Sequence, residues 1–341
     1  MFSLFKRNRE TAPAVQRQNE YGYLGKTELR PDFIKFQVNS RESIALDHWV
    51  KEGFAYASRN SLSNNSAKNE LSGVLNSTFG LTNLFFMAGN ETESSLVGVI
   101  TPSLDSSGRH YPFVSFVNTG QELYRIHPSA LFLNDNNDFN HLHQIVGEVF
   151  SATSDDEMQK QASKLEQIVY SLKQPENINQ LLEKFRHVPM DNLWSAVGLD
   201  NIEERALLIH ESSLILQSIA NRGCLRSQQG LRFPMPNLNE GFELIASFWL
   251  HLVTVMVADH NWRPWVFYQV GRIGKPASLT IFTTPVPPSY FDCIWSESSA
   301  NNSVIELTEL KVAQPFSEAA LSLAKMNNTS MYDALRRWCK A

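Results

Sequence analysis

Cysteine is scarce in this chain of 341 residues, which holds only Cys224, Cys293 and Cys339. Three widely separated cysteines lack the paired spacing of a zinc ribbon or a dithiol motif, which argues against a disulfide framework and a cysteine-built metal site. Free thiols in a reducing compartment are expected. Charge of one sign is lacking too. Lys and Arg number 30 against 35 Asp and Glu, a formal net charge of −5. The basic residues are scattered apart from Lys6, Arg7 and Arg9, so no nucleic-acid partner is expected. Long apolar runs are also missing. The most apolar stretch, Phe242 to Val257, is interrupted by Glu243 and His251 and falls short of the roughly 20 residues that a membrane-spanning helix needs. It is expected to be a buried helix, and stable membrane insertion is not expected. The short apolar head Met1 to Phe5 precedes its basic residues, the reverse of a secretory signal, so export by that route is not expected either.

Several chemical signatures are absent as well. There is no phosphate-cradling Gly-x-x-x-x-Gly-Lys-Ser/Thr loop, no kinase signature and no Gly-x-Ser-x-Gly elbow. Ser103, Asp105 and His110 share one hairpin, where their side chains have no reason to converge on a substrate. His141 and His143, with Asp135 and Asp138 upstream, lie two apart on a helix and so point in different directions, a poor chelate. The expectation is a protein without enzymatic activity, cofactor or metal.

What the chain does have is 43% hydrophobic residues, enough to bury a sizeable core over more than one unit. Residues 1–18 are polar and expected to be a mobile tail. An α+β unit is expected over 19–150. It has strands at Tyr21 to Lys26 and Phe33 to Val38, and a helix at Glu42 to Arg59 whose Ile44, Trp49, Val50, Phe54 and Ala57 recur near helical spacing. The Ser/Asn-rich stretch 60–69 reads as a loop or weak helix start, and three strands follow at Leu84 to Met87, Leu96 to Ile100 and Tyr111 to Val117. Residues 151–222 show repeated helical spacing and read as a helical connector ending at Gly223. A second α+β unit is expected over 223–341, closing in helices. The fold class is therefore α+β: two sandwich-like units with antiparallel or mixed sheets flanked by helices, joined by the connector. The tryptophans Trp49, Trp249, Trp262, Trp265 and Trp295 are expected in the core, with Trp262-Arg263-Pro264-Trp265 the one place where an aromatic would face a partner.

The most informative run is Gly98-Val99-Ile100-Thr101-Pro102-Ser103-Leu104-Asp105-Ser106-Ser107-Gly108-Arg109-His110-Tyr111-Pro112-Phe113. It reads as a strand, a shaped loop and a returning strand. Pro102 is expected to end pairing, the Asp105 side chain to accept from amides two residues on, and Gly108 to take a positive φ. That geometry presents Arg109 at the tip. The same run resembles the signature of the TagF (ImpM) family of type VI secretion accessory proteins: Gly-Val, then Pro-Ser-x-Asp-x-x-Gly-Arg, then an aromatic and Pro, with every fixed position present. The stretch Gly25-Lys26-Thr27-Glu28-Leu29-Arg30-Pro31-Asp32-Phe33 is similar in part to a second family motif, Gly-Lys-Leu-Pro-x-x-Gly-Asp-Phe. Glu28 stands where the family has proline. Pro31 stands where it has glycine, and proline cannot take the positive φ that glycine permits. Asp47-His48-Trp49 resembles the family's Asp-x-Trp. A fainter likeness continues through Leu231 to Pro234, Ser247 to Leu250 and Phe291 to Trp295.

The resemblance implies a bacterial, cytoplasmic protein that restrains type VI protein secretion after translation through protein–protein interaction. It is linked there to a forkhead-associated scaffold protein and to the threonine kinase and phosphatase pathway that controls apparatus assembly. A positive structural role, binding baseplate or membrane-complex components, shares the same motifs. Asp32, Asp47, Asp105 and Arg109 are expected to approach one another if the motif loops share an end of the sheet. There they would either brace the loops or form a polar recognition surface.

Overall fold

Alternation along the strands decides the architecture, because successive side chains of a strand point to opposite faces. In β3 (Asn83–Ala88), Leu84, Phe86 and Ala88 enter one apolar layer while Phe85 and Met87 enter another. In β4 (Ser95–Leu104), Val97 and Val99 go to the first layer, Leu96 and Ile100 to the second. β5 (His110–Asn118) divides the same way, with Phe113 and Val117 opposed to Val114 and Phe116. A sheet apolar on both faces must be covered on both. These strands are accordingly buried along most of their length.

The computed structural model describes residues 20–66, 80–90, 94–132, 138–174, 177–238, 241–272, 275–296, 303–309 and 315–340. The expected tail over residues 1–18 lies outside the described residues. The remaining strands are β1 (Tyr21–Gly25), β2 (Ile34–Phe36), β6 (Gly230–Met235), β7 (Trp265–Gln269), β8 (Ala277–Phe282) and β9 (Val304–Glu306). The helices, in chain order, are α1 (Arg41–Ser66), α2 (Glu122–Ile126), α3 (Asp138–Phe150), α4 (Asp155–Ala162), α5 (Leu165–Leu172), α6 (Ile178–His187), α7 (Met190–Ala196), α8 (Ile202–Arg222), α9 (Phe242–Val257), α10 (Asp292–Trp295), α11 (Glu318–Ala324) and α12 (Met331–Trp338). None of the described helices is long and apolar enough to cross a membrane.

The α+β class holds, but the strands of the two expected units form one nine-stranded sheet, in the order β2-β1-β5-β4-β3-β7-β8-β6-β9. The seam is the antiparallel pair of β3 and β7, from Asn83 opposite Gln269 to Met87 opposite Trp265. Each of these strands would otherwise present a row of unpaired backbone groups at an edge. All neighbours are antiparallel except β6 and β9, so the sheet is mixed.

The larger apolar layer holds residues of α3 to α9 together with α11 and α12. The helices read as a connector are thus part of the packed layer, with α5 against β1 and β5. The smaller layer holds α1 and α10 with the turn before α10. Trp49 of α1 lies at its centre: it stacks on Phe267 at 5.8 Å and meets Trp265 and Phe291 edge-on at 5.3 and 5.2 Å. Trp249, Trp262 and Trp295 are buried and Trp265 is partly buried, its indole N–H donating to the Ala88 carbonyl at 3.3 Å.

Two local expectations give way. α1 continues through the Ser/Asn-rich stretch to Ser66, beyond its expected end at Arg59. Pro102 does not end pairing: it sits directly opposite Pro112, and the ladder runs on to Leu104 opposite His110. Antiparallel partners alternate between bonded and non-bonded pairs, and two prolines opposite one another at a non-bonded pair remove no ladder bond. Gly223 does end α8, at φ 85°.

Candidate functional site

The hairpin between β4 and β5 is shaped by its own side chains. Asp105 Oδ1 accepts from the amides of Ser107 and Arg109, both at 2.9 Å, and the Gly108 amide donates to the Asp105 carbonyl at 2.9 Å. Gly108 then turns the chain at φ 77°. The loop conformation expected from Asp105 and Gly108 is the one found.

The second motif docks onto this hairpin. Lys26, only 5% exposed, donates from Nζ to Asp105 Oδ2 at 2.6 Å. Its carbonyl accepts from the Ser103 hydroxyl at 2.5 Å. Gly25 before it has φ 128°, and a Cβ there would lie 2.2 Å from the Pro112 carbonyl oxygen, so only glycine fits the crossing. Arg109 donates from Nε to Asp105 Oδ2 at 2.7 Å and from Nη2 to the Pro31 carbonyl at 2.5 Å. Proline in place of glycine at 31 is tolerated because the contact uses its carbonyl, which proline keeps, and not an amide. Arg30 reaches the Asp155 carboxylate of α4, and its carbonyl accepts from the Ser106 amide at 3.5 Å.

Asp105 thus carries two cationic side chains and two amides. Burial alone pushes its pKa up, but the hydrogen bonds from Lys26, from the Arg109 amide and guanidinium and from the Ser107 amide outweigh it. They hold the carboxyl well below the usual range. Asp105 has no side-chain exposure, whereas the Arg109 side chain is 60% exposed. Phe33 is 55% exposed as well, its ring edge-on to Tyr111 at 4.7 Å with Lys26 Nζ 4.9 Å from its centroid. The result is a rigid polar node, closed underneath, with one cation and one aromatic facing out.

Of the three carboxylates expected near Arg109, Asp105 is the one that pairs with it. Asp105 and Arg109 pair, but Asp32 lies exposed on its loop, and Asp47 accepts from Lys35 at 2.5 Å on the α1 side. Trp49, two residues on, faces the core instead, its indole N–H donating to the Val286 carbonyl at 3.0 Å. Pro102 is part of the ladder and Ser103 is committed to the Lys26 carbonyl. The cation that replaces the missing links is Lys26. Its signal was its place beside Gly25, where a strand leaves the sheet with no room for a side chain. His141 is exposed and His143 half-buried, on different sides of α3.

A crystal structure of PA0076 from Pseudomonas aeruginosa PAO1 is similar to this chain at 13% identity and a TM-score of 0.44, over 86% of this chain and 100% of that one. No curated protein matches the sequence. A family model, TagF N-terminal domain, type VI secretion system-associated, matches residues 22–168. That range takes in both docked loops, Asp47 and Trp49, and runs past Phe150 into α5. Residues 22–168 thus match the TagF N-terminal domain, type VI secretion system-associated, in the part of the chain that holds both docked loops.

Proposed function

We propose that this protein is a non-enzymatic, cytoplasmic accessory of a type VI secretion system, a post-translational repressor of apparatus assembly that acts by binding proteins of that system, a forkhead-associated scaffold protein among them. The observation that carries this reading is the hairpin tip, where Arg109 is braced by Asp105 and by the Pro31 carbonyl yet remains largely exposed. A cation held in one orientation loses little conformational freedom on binding. Phe33 offers an aromatic anchor at the same node.

Secretion tests the direction of the effect. A repressor raises secretion when deleted and lowers it when overproduced, and a loss of secretion on deletion would favour a positive assembly role. Capture tests the surface: Arg109→Ala and Phe33→Ala should each weaken recovery of the secretion partner by about tenfold or more while the protein still folds. Unchanged capture by both variants would remove the hairpin from the interface.

A further inference from the structure

The far edge of the sheet from β2 carries a different surface. β9 is the terminal strand and pairs on one side only, with β6. The Ser303 carbonyl accepts from the Gly230 amide at 2.8 Å, and the Leu307 amide donates to the Arg232 carbonyl at 3.3 Å. Backbone groups of a strand alternate sides residue by residue. The odd-numbered residues therefore face β6, and the amide and carbonyl of Val304 and the amide of Glu306 face outward, while the Glu306 carbonyl accepts from the Glu309 amide at 3.2 Å. Among the described residues no strand pairs with that outer side.

Beside this edge a cavity of about 560 Å³ opens between α8 and the sheet. Leu214, Ile215 and Ile305 give it apolar wall, and Arg222 and Arg226 line it as well. The Ser218 hydroxyl accepts from Arg222 Nε at 3.0 Å, which fixes that guanidinium. Neither arginine has a carboxylate partner among the described residues. Leu214 is exposed there. An open strand edge, apolar wall and two uncompensated cations coincide at one place.

We infer that this edge docks an extended acidic segment of a partner protein, added as a further strand beside β9. The partner backbone pairs with the amide and carbonyl of Val304 and with the Glu306 amide. On the α8 side, its carboxylates meet Arg222 and Arg226 and its apolar side chains meet Leu214, Ile215 and Ile305. Strand addition of this kind takes affinity from main-chain bonds and selectivity from the pockets beside them. A second copy of this chain is a poor occupant, because two β9 edges brought together would oppose two pairs of arginines. The surface is separate from the Arg109 hairpin, so the two readings fail independently.

The test is fluorescence anisotropy with the full chain and a labelled peptide repeating Glu-Glu-Val-Val, which places glutamate and valine alternately on each strand face. The Lys-Lys-Val-Val peptide is the charge control. The acidic peptide should bind and the basic one should not. Arg222→Glu combined with Arg226→Glu should weaken binding about tenfold or more. Val304→Pro removes only an outward amide, a change an edge strand tolerates, and should abolish binding without lowering the melting temperature. Arg109→Ala should bind as the parent does. Absence of binding, equal binding by the parent, the arginine double variant and Val304→Pro, or a concentration-dependent dimer lost in Val304→Pro would each overturn the inference.

Discussion

Lys26 Nζ and Asp105 Oδ2 lie 2.6 Å apart although 79 residues separate them in sequence, and their side chains are 7% and 0% exposed. This pair locks the strand exit after Gly25 to the hairpin after β4. Without Lys26, buried Asp105 keeps only the more exposed Arg109 as counter-charge, and without Asp105, buried Lys26 keeps none among the described residues. Lys26→Met should therefore lower the melting temperature by several degrees, more than the double variant Lys26→Met with Asp105→Asn, which removes both charges. Thermal unfolding of both single variants and the double checks this, and a double variant that loses the sum of the two single losses would refute a coupled pair.

Gly108 gives a cleaner case. Its φ is 77°, and a Cβ there would meet nothing within 4 Å, so backbone conformation alone resists substitution. Gly108→Val should destabilise by roughly 1 to 2 kcal/mol, with Gly108→Asn milder because asparagine tolerates the left-handed region. Urea unfolding should rank parent, Asn and Val in that order. Equal stability of Asn and Val variants would point to a steric cause instead.

Local chemistry made much of this legible. The Asp105 turn, the positive φ of Gly108, the stop of α8 at Gly223 and most strands follow from residues within a few positions of one another. What depends on distant segments did not show. Asp32 and Asp47 had the right charge for Arg109, but nothing in their neighbourhood revealed that Asp47 would be taken by Lys35 or that Lys26 would turn inward. The pairing of β3 with β7 joins residues far apart in the chain, and two half-sheets read the same from sequence whether or not their edges meet. Ser and Asn favour loops locally, which places the expected end of α1 at Arg59, but the helix continues to Ser66.

A pH response follows from two histidines. His251 of α9 is buried, with its ring 6.5 Å from that of His127 and 6.4 Å from Phe185. Burial, then the neighbouring His127, brings its pKa down to about 4, and burial lowers that of His127. The folded state thus favours the neutral rings. Stability is intact above the ordinary imidazole value of about 6.5 and falls as pH drops from there through about 4, because the unfolded chain takes up protons first. For His251 the loss is roughly 3 kcal/mol at full extent. Asp105 weakens the fold only at lower pH, below the ordinary carboxylate value, since its pKa is depressed. Urea midpoints measured from pH 8 to 4 should fall for the parent and fall less steeply for His251→Leu. Parallel slopes would show that this histidine does not titrate on unfolding.

Trp49 tests whether the two halves stand or fall together. Its N–H donates 3.0 Å to the Val286 carbonyl, and its ring packs against Trp265, Phe267 and Phe291, all from beyond the seam between β3 and β7. Trp49→Phe keeps an aromatic ring but loses the N–H and some volume, leaving the buried carbonyl without its donor. A loss of about 2 to 3 kcal/mol is expected. Trp49→Ala, with a larger cavity, should lose about 3 to 5 kcal/mol. Because the sheet is continuous, either variant should shift one cooperative transition, with far-ultraviolet circular dichroism and tryptophan fluorescence tracing the same curve. If the α1 side were an independent unit, Trp49→Ala would split the unfolding in two, the first step confined to residues before β6 and the second at the parent's midpoint. Limited proteolysis across the transition distinguishes these outcomes: a protected fragment beginning near β6 would show that the seam does not couple the halves, and its absence would show that it does.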